Sequence, residues 1–349
     1  MSTTEDSGRH LTAVPDQTQD AALVSVIIAA YGAERFLGEA LSSLMRQTWP
    51  NLEIIVIDDG SRDRTAQLAR VYAEMEVPGR RVVVESQANS GVAAARNRGI
   101  GMASGEIITF LDADDAFLPG AISRLMAERE RLGGGRVLVG PQGADVTGGA
   151  LDTRRPMQRE PMPAPGQQRQ VILQYNIGCL ASLFPREFFA EVGMFDESQG
   201  HAEDWELWLR AVYSGWRFHR LEEVLWLVWW SPGSLTSEVE HMGRGEDRAL
   251  QLLLQQFREE MTPAEVDFVE HRLESGSPQR LIRQSNEALR AGRLEEAKQK
   301  LLLSAELMPA QKRVAVKARI ARLPGGMQLL RRRQDQTDSM VDYDPAMGR

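Results

Sequence analysis

Ile107-Ile108-Thr109-Phe110-Leu111 is an apolar run of strand length that breaks off into Asp112-Ala113-Asp114-Asp115. Carboxylates this close repel one another, so such a cluster at the end of a buried strand calls for a cation to share. A hard divalent ion, Mn²⁺ or Mg²⁺, held by one or two carboxylates plus substrate phosphates, meets that need. A solvated turn with an acidic helix cap would use the same residues, because Asp is a good N-cap. A second acidic pair, Glu203-Asp204, opens an amphipathic stretch with Trp205, Leu207, Trp208, Leu209 and Val212 on its apolar side. Carboxylates there either complement the start of a helix dipole or serve as a general base. A third group, Asp58-Asp59-Gly60-Ser61, follows another β-branched run and suits a turn as well as a polar ligand.

The elements that must position these groups follow from hydrophobic period. Val24–Ala30 reads as a fully buried strand, as do Leu52–Ile57, Arg81–Glu85, the run from Ile107 and Arg136–Val139. Between them lie helical patterns at Glu34–Arg46, Asp63–Met75, Val92–Ala103 and Ala121–Arg131. Alternation of this kind implies an α/β domain with a mostly parallel sheet flanked by helices, over residues 23–240. Ligands of such sheets bind at the carboxyl ends of the strands, and Tyr31, Asp58–Asp59 and Asp112–Asp115 all fall there.

Outside that domain the sequence is less regular. Residues 1–22 are polar and mixed in charge, with no basic start or apolar core, and read as a disordered leader. Residues 141–169, rich in Gly, Pro, Gln and Arg, read as a long loop. Residues 241–333 form a C-terminal α-helical extension, and 334–349 a disordered tail. Within the extension, Ala288–Ala297 followed by Pro309 looks like half of a tetratricopeptide-type hairpin. It occurs in one copy where such arrays need about three, so it is expected to pack on the main domain.

A net charge of −8 over 349 residues gives no reason to expect a nucleic-acid partner. One cysteine, Cys179, excludes an intramolecular disulfide and any multi-cysteine metal site, and fits a reducing, cytoplasmic setting. No run of about twenty apolar residues exists. Eight Lys/Arg and no acidic residue lie between Glu306 and Asp335, with Val316, Ile320 and Leu323 along one side. A solvated basic helix accounts for this; peripheral contact with anionic lipid on the cytoplasmic membrane face is the sharper option.

In order, Val24–Tyr31, Val56–Thr65, Asn89–Asn97, Gly105–Asp115, Gly193–Glu197 and Glu203–Arg210 resemble the inverting family 2 glycosyltransferases, over about residues 23–237. The resemblance implies a GT-A (Rossmann-like) fold and hexosyl transfer from a nucleotide-sugar, a UDP-sugar by family habit. It implies that Asp114 is the main ligand of Mn²⁺ or Mg²⁺, with Asp112 ligating or positioning the ribose and Asp115 supporting. Asp59 would accept the imide N–H of a uracil-like base, Tyr31 would stack on it, and the Ala29 backbone would contribute. Gly91 would let the backbone approach the donor, and Arg96 and Asn97 would face phosphate or the aspartates. Asp204 would be the general base, with Glu203 as the alternative, and Trp205 would stack on a sugar face. The acceptor would be a cell-surface glycan, a lipid-linked glycan or a small molecule.

Two departures stand out. Ala29, Ala30 and Gly32 replace residues that bring hydroxyl and amide contacts in the family. Val228, Trp229, Trp230 and Ser231 stand where a Tyr-Arg and a His are usual, with Gly233 and Ser234 kept. Trp229 and Trp230 suit core packing or a subunit interface, which leaves a homo-oligomer open. Two other readings compete with the enzyme. One is a catalytically silent nucleotide-sugar-binding protein, prompted by the Leu225–Thr236 departures. The other is a sugar nucleotidyltransferase, which wants a Gly-rich basic loop where Tyr31-Gly32-Ala33-Glu34-Arg35 stands.

Overall fold

Strand β1 (Val24–Ala30) is buried throughout apart from a half-covered Ala29. Val24, Val26 and Ile28 enter one hydrophobic core and Ile27 another, the two-residue period of a strand covered on both faces. The computed structural model describes residues 21–147, 150–158, 160–229 and 239–341. Most of the leader expected over 1–22, part of the tail over 334–349, and Trp230, Ser231, Gly233 and Ser234 lie outside them.

After β1 come α1 (Leu37–Met45), β2 (Leu52–Asp58), α2 (Thr65–Ala73), β3 (Arg80–Ser86), α3 (Val92–Met102) and β4 (Ile107–Phe110). Next are β5 (Ala116–Phe117), α4 (Ala121–Arg131), β6 (Val137–Thr147), β7 (Ala150–Pro156), α5 (Gln168–Ile172), β8 (Phe184–Pro185), α6 (Arg186–Val192), α7 (Glu203–Tyr213) and β9 (Arg217–Trp229). The main sheet has the order β3-β2-β1-β4-β8, parallel except for β8. The chain winds outward from β1 to β3 and then crosses to the other side of β1. β1 and β4 therefore flank the point where strand order reverses, and a crevice opens beyond their carboxyl ends. This is the mostly parallel α/β sheet expected.

A smaller sheet, β5-β9-β6-β7, starts immediately after the acidic cluster, with Ala116 and Phe117 paired to Leu227 and Trp226. Residues 141–169 are thus not one long loop: β6 continues to Thr147 and β7 spans Ala150–Pro156. Gly140, Pro141 and Gly143 hide the strand because they carry no apolar alternation. Gly143 is required by packing, since a Cβ there would sit 2.9 Å from the Trp226 ring.

The helical region comprises α8 (Val239–Phe257), α9 (Pro263–Ser275), α10 (Pro278–Arg290), α11 (Leu294–Leu307), α12 (Lys312–Arg322) and α13 (Gly326–Val341). Its first two helices share the core of the sheet: Ala249, Leu250, Leu253, Met261 and Val269 pack in one cluster with Trp205 and Trp208. The last four enclose a separate core around Leu289, Leu301, Met308 and Leu330. The single tetratricopeptide-like hairpin is α10–α11, and it is covered by α12 and α13 rather than by further repeats. Among the described residues no helix is long and apolar enough to cross a membrane.

Helix α3 lies unusually close to β1 because Gly99 faces Ile27: a Cβ at Gly99 would approach Ile27 Cγ2 to 2.4 Å. Ile27 is fully buried and β-branched, so it has no room to turn away. Gly99→Ala is expected to lower unfolding free energy by about 1–3 kcal/mol through overpacking, read from the urea midpoint.

Candidate active site

Arg96 is buried in the second turn of α3, with its side chain 6% exposed. A guanidinium in that position needs acceptors on its fork. It finds two: Nη1 donates to Glu203 Oε1 at 2.6 Å and Nη2 to Asp112 Oδ1 at 3.0 Å. The ring of Phe195 lies 5.5 Å beneath it. Burial works against the cation, but Asp112 and Glu203 more than offset this, so its pKa lies above the ordinary value. One side chain thereby joins the end of β4 to the start of α7, and the two acidic groups far apart in sequence become one site. Arg96 is committed to carboxylates rather than left facing a phosphate.

The three aspartates after β4 differ in surroundings. Asp112 is 41% exposed on its side chain, and Asp114 is half-buried. Burial, then the nearby Asp112 charge, raises the Asp114 pKa. Asp115 is buried and turned inward, accepting from Trp226 Nε1 at 2.9 Å and the Trp229 amide at 3.4 Å. Burial, followed by repulsion from Asp112 and Asp114, pushes it up to about 9, so at neutral pH it keeps its proton and anchors the loop to β9. Asp112 and Asp114 are the two that border the crevice. Among the described residues no three Asp, Glu, His or Cys side chains converge to hold an ion alone. Two carboxylates at one strand end fit a cation whose remaining ligands come from a bound diphosphate.

Asp204 opens α7 next to Glu203. The residue before them, Ala202, has φ 59° and ψ 29°, and it is the one non-glycine residue of positive φ among those described. Alanine is strained there, and strain of this kind gathers at functional sites. Asp204 Oδ1 accepts from the Trp205 amide at 2.7 Å and Oδ2 from Asn176 Nδ2 at 2.8 Å. Burial and the adjacent Glu203 charge raise Asp204 to about 6, while Arg96, the Trp205 amide and Asn176 hold it back. A carboxylate so tuned is ionised at neutral pH yet is a better proton acceptor than an exposed one. Glu203 is buried and ion-paired to Arg96, which makes it an anchor for the helix.

On the other side of β1, Tyr31 is 60% exposed beyond the strand end, open to a planar ligand rather than packed in the core. Asp59 is buried and already holds the following loop: Oδ1 accepts from Gln87 Nε2 and the Ser90 amide, and Oδ2 from the Gly91 amide at 2.9 Å. One lone pair of Oδ2 is left for a ligand. Gly91 caps α3 at φ 92°, and a Cβ there would meet nothing within 4 Å, so the backbone is open to close approach. Ala29 lies half-buried at the end of β1.

Four residues of the resemblance have other work. Asn97 exchanges hydrogen bonds with the Phe195 backbone at 2.9 and 3.0 Å, fixing the 193–197 turn under Arg96. Arg210 pairs with Glu206 and donates to the carbonyl of Met194, holding the same turn from α7. Trp205 is buried, donates to the Ile172 carbonyl at 3.0 Å and lies under Arg272, so it is not a sugar platform. Trp208 stacks on Phe184 in the core at 5.3 Å. Asn176 and Arg272 carried no motif; only the folded chain brings them to Asp204 and Trp205.

Sheet order, the acidic cluster after β4 and the helical flanks define a GT-A architecture. The chain superposes on Staphylococcus aureus TarS in complex with UDP-GlcNAc, with 18% identity, 90% of this chain and 91% of that chain covered, and a TM-score of 0.58. It likewise matches the mannosyltransferase PcManGT from Pyrobaculum calidifontis, solved with GDP-Man and Mn²⁺, at 17% identity over 94% of this chain and 89% of that one, with a TM-score of 0.56. Residues 25–192 match the model of glycosyl transferase family 2. The glycosyltransferase EpsJ of Bacillus subtilis (strain 168) is 33% identical over 61% of this chain. The chain spans about three-fifths of the length of EpsJ and of two Rickettsia relatives, and about a third or less of other curated relatives it matches. The family match ends before Asp204.

Removing the Arg96 guanidinium would leave Glu203 buried without a partner. Arg96→Met is expected to cost about 3–5 kcal/mol of stability, measured by chemical denaturation.

Proposed function

We propose that this protein is an inverting, divalent-metal-dependent glycosyltransferase that moves a sugar from a UDP-sugar to an acceptor hydroxyl. The observation that carries this reading is the Arg96 bridge, which puts the Asp112–Asp114 pair and Asp204 on one crevice at the sheet's switch point. Asp114 and Asp112 would hold Mn²⁺ or Mg²⁺, which when bound supplies charge neutralisation for a departing diphosphate. Asp112 is kept in place for that task by Arg96.

On the donor side, exposed Tyr31 offers a face for the base, and the remaining lone pair of Asp59 can accept its imide N–H. The open space over Gly91 and the positive N-terminal end of α3 suit the sugar-phosphate part. The Ala29 backbone borders the same strand end. On the acceptor side, Asp204 removes the hydroxyl proton as that oxygen attacks the anomeric carbon. The bond from that carbon to the diphosphate breaks in the same displacement, the nucleoside diphosphate leaves with the electron pair, and the configuration inverts. The Tyr31–Arg35 turn has one glycine and no phosphate-cradling loop, which weighs against nucleotidyl transfer.

The acceptor class that best suits the chain is a cell-surface or lipid-linked glycan. Val316, Leu323 and Leu329 are exposed among Lys312, Arg313, Lys317, Arg319 and Arg322 on the last helices. Basic residues around exposed apolar ones favour an anionic lipid surface. Co-sedimentation with anionic vesicles that falls as salt rises is the expected result; no sedimentation at low salt would remove the lipid part of the reading.

Purified protein given UDP-sugars, Mn²⁺ and an acceptor extract should release UDP. Asp204→Asn should lower turnover about 10²–10⁴-fold with the fold intact, and Asp114→Ala should abolish the metal requirement together with most of the rate. Tight UDP binding with no transfer from any donor would leave a silent binding protein, and pyrophosphate formed from UTP and a sugar phosphate would show a nucleotidyltransferase. Only ionised Asp204 accepts a proton, so the rate should fall as pH drops through about 6. A flat profile between pH 5 and 8 would remove Asp204 from the role (range as for a group titrating near neutrality).

A further inference from the structure

Arg272 of α9 is fully buried although it belongs to the helical region beyond the sheet. Its guanidinium lies 4.7 Å above the ring of Trp205, the residue after Asp204. Nη1 donates to the carbonyls of Leu173 and Gln174, and Nη2 pairs with Glu246 of α8 at 2.9 Å. The carbonyl just before these, that of Ile172, accepts from Trp205 Nε1. Beyond α5 the segment 175–179 has no helix or strand to hold it. It nonetheless presents Asn176, whose Nδ2 donates to Asp204 and whose Oδ1 accepts from the Gly178 amide at 2.9 Å.

An irregular segment with no ladder of its own must be located by side-chain donors. Trp205 of α7 supplies one donor, and the helical region supplies others. Arg272 supplies two of the bonds, and the Ala310 amide adds a third, to Gln174 Oε1 at 3.0 Å. Arg169, in α5 itself, reaches out to Glu265 at the start of α9 and lies 4.3 Å from the Tyr213 ring. Two buried arginines thus flank the first turn of α7: Arg96 holds Glu203, and Arg272 holds the face of Trp205 together with the strand of chain that carries Asn176.

We propose that Arg272 is a positioning residue for Asp204, acting through Trp205 and the 172–176 segment, so that α8 and α9 are a working part of the catalytic centre. Deeper than a general brace, the contact sets the one side-chain hydrogen bond that Asp204 receives among those found. It rests on the reading of Asp204 as the base, and the donor side is untouched by it.

The test uses the full chain. Arg272→Met combined with Glu246→Leu removes both charges and leaves neither unpaired. With Asn176 loosened, ionised Asp204 loses a donor, so the low-pH limb of kcat should move upward while kcat falls about tenfold and KM for the UDP-sugar stays within about twofold. Asn176→Ala alone should give the same pattern, and adding it to the pair should cost little more, since both act on one bond. Arg272→Lys, which keeps the charge but not the fork, should recover part of the loss; if the Met–Leu pair does not fold, this variant carries the comparison. A folded variant with unchanged kcat and limb position, or losses that multiply with Asn176→Ala, would overturn the proposal. Carbon-13 NMR of the Asp204 carboxyl reads the coupling without turnover. If the wild-type protein transfers no sugar, the enzymatic reading fails, whereas an Asp204 titration that does not respond to Arg272 sinks the coupling alone.

Discussion

A buried guanidinium cannot stay without acceptors, and Arg96 meets that constraint with one carboxylate from each half of the site. Asp112 follows a central strand and Glu203 begins a helix, and among the described residues the fork that reaches both belongs to a helix packed against β1 through Gly99. The cost of desolvating Arg96 and Glu203 is offset only while the three charged groups hold their geometry. The arrangement therefore works as a register pin: if α3, β4 or α7 shifts, a charge is left stranded. Phe195 beneath the guanidinium, itself tied by Asn97, closes the remaining side.

The same economy recurs across the site. Groups with the chemistry of ligand binding are mostly used to hold the loops on which the free groups sit. Asp59 organises the Ser90–Gly91 turn, Asp115 ties the acidic loop to Trp226, and Glu203 anchors the start of α7. What is left facing the crevice is a short set: Tyr31, the open backbone at Gly91, Asp112, Asp114 and Asp204. On the proposed reading, a donor with a planar base, a diphosphate and a sugar would extend along these surfaces, from the aromatic face to the pair of carboxylates and on toward Asp204. Support from the helical region enters through Trp205, the residue after Asp204.

Much of the sheet was legible because both faces of its strands are covered. Val24–Ala30 and Leu52–Ile57 have to be apolar at nearly every position, and that pattern survives without any tertiary knowledge. The acidic strand ends stood out for the opposite reason, since charge is rare beside such runs. β6 beyond Val139 was hidden because its needs are steric rather than apolar: Gly143 makes room for Trp226. Trp205 was misjudged as a sugar platform because an aromatic beside a carboxylate looks the same whether a ligand or Arg272 covers its face.

Sequence by itself determined the alternation of elements, the strand ends at which ligands gather and the family 2 character of residues 25–192. These are local or ordered properties, written in residue type and spacing. Only the tertiary structure decided which partners each carboxylate has, because that depends on donors brought from distant segments. Arg96 takes Glu203 and Asp112, Trp226 takes Asp115, and Asn176 reaches Asp204 from a stretch with no motif. A carboxylate's proton affinity is set by burial and by its partners, and neither exists until the chain has folded.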